Sequence, residues 1–227
     1  MAEPPLHIAA RRGLVDTLEL MLKYHKAFPV DRENAKGQTA FLQAIHTDKR
    51  NFDADQTAQF IQVCKRLLEA NANPNHTDRN GNCTLYLAIN IHLNASGKVQ
   101  LIDLLVKKGC GDFHLTTTNH NAFDLACYKG GKAALQALLN HNFFIQPWAL
   151  ETLCLGAVNS RLPPVIDLKQ RMEMIQPLIQ RGAALGALSQ DSPKLLEILG
   201  SINRLGRDEL HVAILRAFNE AQQQSLV

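Results

Sequence analysis

The chain has 227 residues, with 24 Lys and Arg against 21 Asp and Glu, and 46% of its residues are hydrophobic. A formal charge of +3 leaves no basic footprint for nucleic acid, and 20% charged residues is too few for a disordered chain. The 34 Leu and 26 Ala against 9 Val and 13 Ile favour helices over strands, so the expected fold class is all-α.

The chain opens with Pro4, Pro5, Arg11 and Arg12, where a secretory signal would need an apolar core. No apolar run reaches the roughly 18 to 20 residues that span a bilayer. A cytoplasmic protein without membrane contact is the expectation. Pro5 suits the first position of a helix, and Gly13 is placed to end that helix before a second apolar stretch closing in Met21 and Leu22.

The pattern then repeats. A second copy begins at Gly37 with Gln38, Thr39, Ala40, Phe41, Leu42, Gln43 and Ala44, and its next helix carries a stripe of Phe60, Ile61, Cys64, Leu67 and Leu68. The third runs from Asp78 through Cys83, Thr84, Leu85 and Ala88 to Leu104 and Leu105, and the fourth from Asn121 through Phe123 and Ala126 to Leu138 and Leu139. Each unit is thus a short helix, a tight turn and a longer helix, which buries its stripe only by stacking on neighbours.

Spacing separates the copies. From the motif alanine to the closing pair there are 12 residues in the first and fourth copies, 23 in the second and 16 in the third. The surplus approximates three turns and one turn of helix at about 3.6 residues per turn. Elongated helices with longer inter-helix loops at Arg50 to Asp55 and at Asn94 to Lys98 are therefore expected, forming a shared protrusion at one end of adjacent copies.

Beyond Ile145 the turn signature fades and helices remain. Pro147 and Trp148 open one helix with Leu150, Leu153, Cys154 and Ala157. Leu168, Met172, Ile175 and Ile179 stripe another, which Pro177 should bend. Ser192 and Pro193 should cap and start a third, and Asp208 should cap a last helix carrying His211, Ile214, Leu215 and Phe218.

The run Pro4, Pro5, Leu6, His7, Ile8, Ala9, Ala10, with Gly13 after it, resembles the ankyrin repeat, whose pattern is a turn with Asp and Gly, then T-P-L-H-x-A, a glycine, a paired Leu and a G-A-D-x-N exit. Asn71 to Asn75 fits that exit with Asn in place of its glycine, and Arg181 to Ala184 looks like a decayed one. The resemblance spans about residues 4 to 185. It implies an ankyrin-repeat solenoid of about six helix pairs: four repeats over 1–145, then a degenerate repeat and helical cap over 146–227 continuous with them. The short, eroded, cysteine-containing repeats and the polar stretch Asn219 to Val227 are also similar to ankyrin proteins that intracellular bacteria deliver into host cells without a signal peptide.

Chemistry finds little purchase. The five cysteines at 64, 83, 110, 127 and 154 are odd in number, form no C-x-x-C pair and read as reduced thiols. His114 and His120 share a turn with Asn119 but have no further ligands at zinc spacing, so neither metal nor cofactor is expected. Glycine-rich phosphate loops are absent. A cysteine-dependent hydrolase acting through Cys154 and His211 remains the alternative to a non-enzymatic module.

What the resemblance implies is a protein-binding surface. Its concave face would include Arg11, Arg12, His46, Asn90, Tyr128 and Lys129, with Arg32, Lys36, Arg79, Asn119 and His120 at the turn tips; His7 would serve hydrogen bonding between turns. Most of these side chains are cationic or amides, so the expected partner is another protein with an acidic segment, bound by a monomer.

Overall fold

The structure, a computed structural model, describes residues 3–24, 27–46, 52–111, 122–129, 131–141, 149–150, 152–153, 168–184, 193–204 and 208–224. Eleven helices are named among them: α1 Pro5–Arg12, α2 Val15–Lys23, α3 Ala40–Ile45, α4 Ala54–Glu69, α5 Thr84–Asn90, α6 Ala95–Lys107, α7 Ala122–Lys129, α8 Lys132–Asn140, α9 Leu168–Ala184, α10 Pro193–Arg204 and α11 Asp208–Gln224. The described residues include no strand, only an isolated antiparallel bridge between Thr77 and Cys83. They gather into two compact units, 1–122 and 123–227.

In the first unit the local chemistry recurs copy by copy. Pro5 starts α1, and Gly13, at φ +74°, ends it in the left-handed conformation that glycine adopts without penalty. Ahead of α3, the Asn34 side chain accepts from the backbone N–H of Lys36 and of Gln38, and Gly37 N–H donates to Asn34 O. Ahead of α5, Asp78 receives Asn80 and Asn82 in the same way, and Gly81 closes the turn onto Asp78 O. Thr39 and Cys83 then occupy equivalent N-cap positions, their side chains accepting from Leu42 N–H and Tyr86 N–H. At Pro4, the corresponding place in the first copy, no side chain caps α1.

Stacking follows from these repeats. α1 packs on α3 and α3 on α5; α2 packs on α4 and α4 on α6; each first helix also packs on the second helix of its own copy. Leu6, Phe41 and Leu85 fill equivalent buried positions, as do Ala9, Ala44 and Ala88, whose small side chains let neighbouring first helices approach. Phe60, Cys64, Leu67 and Leu68 of the expected stripe are buried together with Val63, while Ile61 is half-buried. Arg66 ties α4 to Glu19 of α2 at 2.6 Å and to Glu69 at 3.0 Å.

The insertions differ from expectation in where they begin. Asp53 is the N-cap of α4, its carboxylate accepting Gln56 N–H at 2.7 Å while Gln56 reaches back to Asp53 N–H, a capping box. Asn94 caps α6 by accepting Gly97 N–H at 2.7 Å. Most of the described residues expected to be loop are therefore helix: Ala54 and Asp55 belong to α4, and Ala95 to Lys98 to α6, while Arg50 and Asn51 lie outside the described residues. The lengthening falls on the second helices alone. α4 has 16 residues and α6 has 13, against 9 in α2 and α8, whereas α3 and α5 have only 6 and 7. The two extensions meet, because a Cβ added at Gly97 would lie 2.5 Å from the Thr57 Cγ2. Lys98 Nζ donates to Ile89 O at 2.8 Å, which satisfies a carbonyl at the end of α5.

The second unit is held by α8 against α9, α9 against α11 and α10 against α11. Met174, Ile175, Leu178 and Ile179 of α9 are buried, as are Leu210, Ile214, Ala217 and Phe218 of α11. Two expectations are corrected here. Arg181 to Ala184 is the last turn of α9 and not an exit turn, since Gly182 with two following alanines simply continues the helix past Pro177. Asp208 lies inside the first turn of α11, not at its cap. The polar stretch from Asn219 is helical to Gln224 and buries Ala221. Of the helix expected at Pro147, the described residues 149, 150, 152 and 153 are helical, while Cys154 and Ala157 lie outside the described residues.

Candidate functional site

The sequence-selected residues of the first unit fall into two groups separated by the length of the first helices. Arg32, Lys36 and Arg79 are exposed on the turns that precede α3 and α5. These turns are fastened to one another and to the next exit. Arg79 N–H donates to Lys36 O at 3.4 Å, His76 Nε2 meets Gly37 O at 3.0 Å, and Asn73 N–H donates to Asp31 Oδ1 at 3.0 Å. The Arg79 side chain lies across Gly37, where an added Cβ would come 2.8 Å from its Cγ. Asn75 closes the series, donating to Gly109 O and accepting Gly111 N–H. The charges are mixed, because Asp31 and Glu33 are exposed beside the three cations.

The second group sits at the other ends of the first helices. Arg11 and Arg12 form the last turn of α1, His46 is the C-cap of α3 and Asn90 ends α5. Asn90 is half-buried, its amide donating to Tyr86 O at 3.2 Å, so helix termination takes up part of its capacity. Arg11 pairs with Glu3 at 3.1 Å, whereas Arg12 is exposed and pairs with no carboxylate among the described residues. Between Arg11, Arg12 and Gly13 on one side and Phe52, Gln56, Gln59 and Phe60 on the other lies a pocket of about 180 Å³. The Phe52 and Phe60 rings stand 5.3 Å apart, with Phe60 buried and Phe52 half-buried. Sequence reasoning missed Phe52, Gln56 and Gln59; the D-x-x-Q spacing of Asp53 and Gln56 was the signal that would have started α4 early enough to find them.

In the second unit Tyr128 is half-buried and Lys129 is exposed at the end of α7, with partial desolvation lowering the lysine's proton affinity. A cleft of about 480 Å³ runs along α9 and α11, lined by Val212, Ala213 and Ala217 with Asp208, Glu209 and Glu220. Asn119, His120 and His114 lie outside the described residues.

Buried titratable groups serve the scaffold. His7 Nε2 donates to Gln38 O, 2.8 Å away, as expected for a histidine linking turns; its Nδ1 is buried without a hydrogen-bond partner. Burial lowers its pKa, against smaller raising effects from Gln38 O and Glu3. Burial alone would raise Asp78, but hydrogen bonds from Asn82, Asn80 and Gln38 outweigh it and hold the carboxyl below its usual value. Cys64, Cys83, Cys110 and Cys127 are buried. Complete burial pushes the Cys64 thiol up, Cys83 caps α5 and Cys110 donates to Pro74 O, so these sulfurs are occupied with packing and capping. Among the described residues no group of three His, Cys, Asp or Glu is placed to hold a metal, and no helix is long and apolar enough to cross a membrane.

A hydrogen-bonded turn, a short helix, a corner and a longer helix, stacked copy on copy, define the class: this is the ankyrin-repeat fold. The ankyrin repeat family pattern matches residues 3–35, the first copy with its Pro4 to Ala10 motif. An ankyrin repeat domain from Acinetobacter baumannii AYE is similar over 95% of this chain and 98% of its own, with 19% identity and a TM-score of 0.69. The ankyrin repeat protein EF0377 is similar over 95% and 98%, at 17% identity and a TM-score of 0.67. The ankyrin repeat domain of Bcl-3, of the IkappaB family, is similar over 95% and 86%, at 20% identity and a TM-score of 0.67. No curated protein sequence matches the chain. At such identities the likeness carries the fold and leaves the partner open. Ankyrin repeats in general are protein–protein interaction modules.

Proposed function

We propose that this protein is a non-catalytic binding module that tethers, masks or recruits another protein through the turn tips and first-helix ends of its repeats. The observation that supports this reading most is the turn scaffold itself. Asn34 and Asp78 hold the two tips by the same set of side-chain and backbone hydrogen bonds, and Arg32, Lys36 and Arg79 project from turns that are already ordered. A preordered surface loses little conformational entropy on association. An interface of standard size, about 1,600 Å² in total, is what such a row of tips and helix ends would offer.

An acidic partner segment is the electrostatic complement of the three tip cations, with Asp31 and Glu33 limiting how much charge alone contributes. The test compares affinity capture by the wild-type chain and by an Arg32→Glu, Lys36→Glu, Arg79→Glu variant at physiological salt. The expected result is a saturable protein partner that the triple variant fails to retain while keeping its helical circular dichroism and melting profile. Absence of any saturable partner, or equal retention by both proteins, removes the proposal.

A further inference from the structure

The corner pocket beside α1 has no counterpart in a repeat of regular length. Aligning the closing pairs Met21–Leu22 and Leu67–Leu68 shows that residues 54–60 are the part of α4 that α2 lacks, and Phe52 belongs to the longer connection before it. One whole wall of the pocket, Phe52, Gln56, Gln59 and Phe60, is thus inserted sequence, and the other is the last turn of α1. Its volume, about 180 Å³, falls below the roughly 300 to 1,000 Å³ of small-molecule sites, which suits it to a side chain and not to a whole ligand.

The chemistry of the walls is asymmetric. The residues lining the pocket include two arginines and no carboxylate. Two acids of neighbouring segments are engaged elsewhere: Glu3 pairs with Arg11 and accepts from Gln43, and Asp53 caps α4. Arg12 therefore brings a guanidinium to the pocket with no carboxylate paired to it among the described residues. Beside it the half-buried Phe52 ring and the buried Phe60 ring supply apolar surface, and Leu14, next along the chain after Gly13, is 45% exposed. A cation and an apolar wall within one small pocket complement an anionic side chain followed by an apolar one.

We propose that this pocket is a second docking site, separate from the turn tips, which anchors an extended segment of a partner protein by an acidic side chain on Arg12 and an adjacent apolar side chain against Phe52 and Phe60. The proposal rests on the protein-binding reading for its biological sense, though not for its test. The ¹⁵N-labelled full chain is titrated with the blocked hexapeptide acetyl-Gly-Gly-Glu-Leu-Gly-Gly-amide, and amide shifts are followed.

Saturable shifts confined to residues 10–14 and 52–60 are expected, with affinity about two- to fivefold weaker when the peptide's Glu is replaced by Gln or when the protein carries Arg12→Gln, as for one exposed but well-oriented charge pair. Replacing the peptide's Leu by Gly should weaken it similarly. The tip variant Arg32→Glu, Lys36→Glu, Arg79→Glu should bind this peptide as the wild type does, so failure of the tips and failure of the pocket are told apart.

The proposal is overturned by the absence of shifts at millimolar peptide, by unchanged affinity in Arg12→Gln, or by shifts centred on the turn tips. Equal binding of acetyl-Gly-Gly-Gly-Leu with a free C-terminus would overturn the acidic side chain as the source of the anion. Self-association of the chain at the same concentration, abolished by Arg12→Gln, would overturn it in favour of a second copy as occupant.

Discussion

Asn71 is the only non-glycine residue among the described residues with a positive φ, +63°, and it stands at the exit of the second copy where the repeat pattern has glycine. Asparagine tolerates this conformation better than other side chains, while a β-branched residue there is strained by about 1–2 kcal/mol. Asn71→Gly is therefore expected to leave the urea midpoint unchanged or slightly raised, and Asn71→Val to lower it by the equivalent of about 1–2 kcal/mol. His7 makes a different demand. Its folded pKa is depressed below 6.5 chiefly by burial, so the unfolded chain binds this proton more readily than the folded one. Its contribution is complete above pH 6.5 and is lost as pH falls from there toward the folded value. Melting temperatures of wild type and His7→Gln measured between pH 7.5 and 5 should converge as the pH drops; parallel curves would show that His7 is not the titrating group. The buried Nδ1 has a local cause, since Pro4, three residues earlier, has neither N–H nor hydroxyl to offer it.

The elements that were legible in the sequence are those whose ends are marked by special residues. Pro5 and Gly13 bracket α1 in the sequence as they do in the structure, and the paired leucines Leu67–Leu68 and Leu138–Leu139 mark buried positions near the ends of α4 and α8. The insertions were legible as extra length and not as shape. Polar residues such as Asp53 and Asn94 read equally well as loop or as N-cap, and only the hydrogen bonds of the built chain decide between them. The candidate surface was read with the same limits: tip cations can be taken from the turn motif, but the pocket depends on residues 52–60 folding back against the first copy, a contact that no periodicity encodes. Gly97 gives the element-scale prediction. Gly97→Ala should lower stability by roughly 1–3 kcal/mol through its clash with Thr57, although alanine is the better helix former. Thr57→Ser removes the Cγ2 and keeps the hydroxyl that donates to Asp53 O at 2.7 Å, so the double variant should regain most of that loss in denaturant unfolding. An additive double variant would refute the contact.

At the scale of the molecule, the first unit is built from nearest-neighbour layers: α3 lies between α1 and α5, and α4 between α2 and α6. Phe41, fully buried in the middle copy, is shared by that stack. Phe41→Ala is expected to cost about 3–5 kcal/mol and to lower hydrogen-exchange protection in α1 and α5 together with α3. Loss confined to α3 would mean that the copies open independently. The meeting of Thr57 with Gly97 bears on how the copies can be exchanged as well as on stability. The lengthened α4 and the lengthened α6 of the following copy cover one another, so trimming one alone would strip the other's first turn of its neighbour. A transplant of the second copy into a foreign repeat array would accordingly keep its extended helix supported only if the third copy travelled with it.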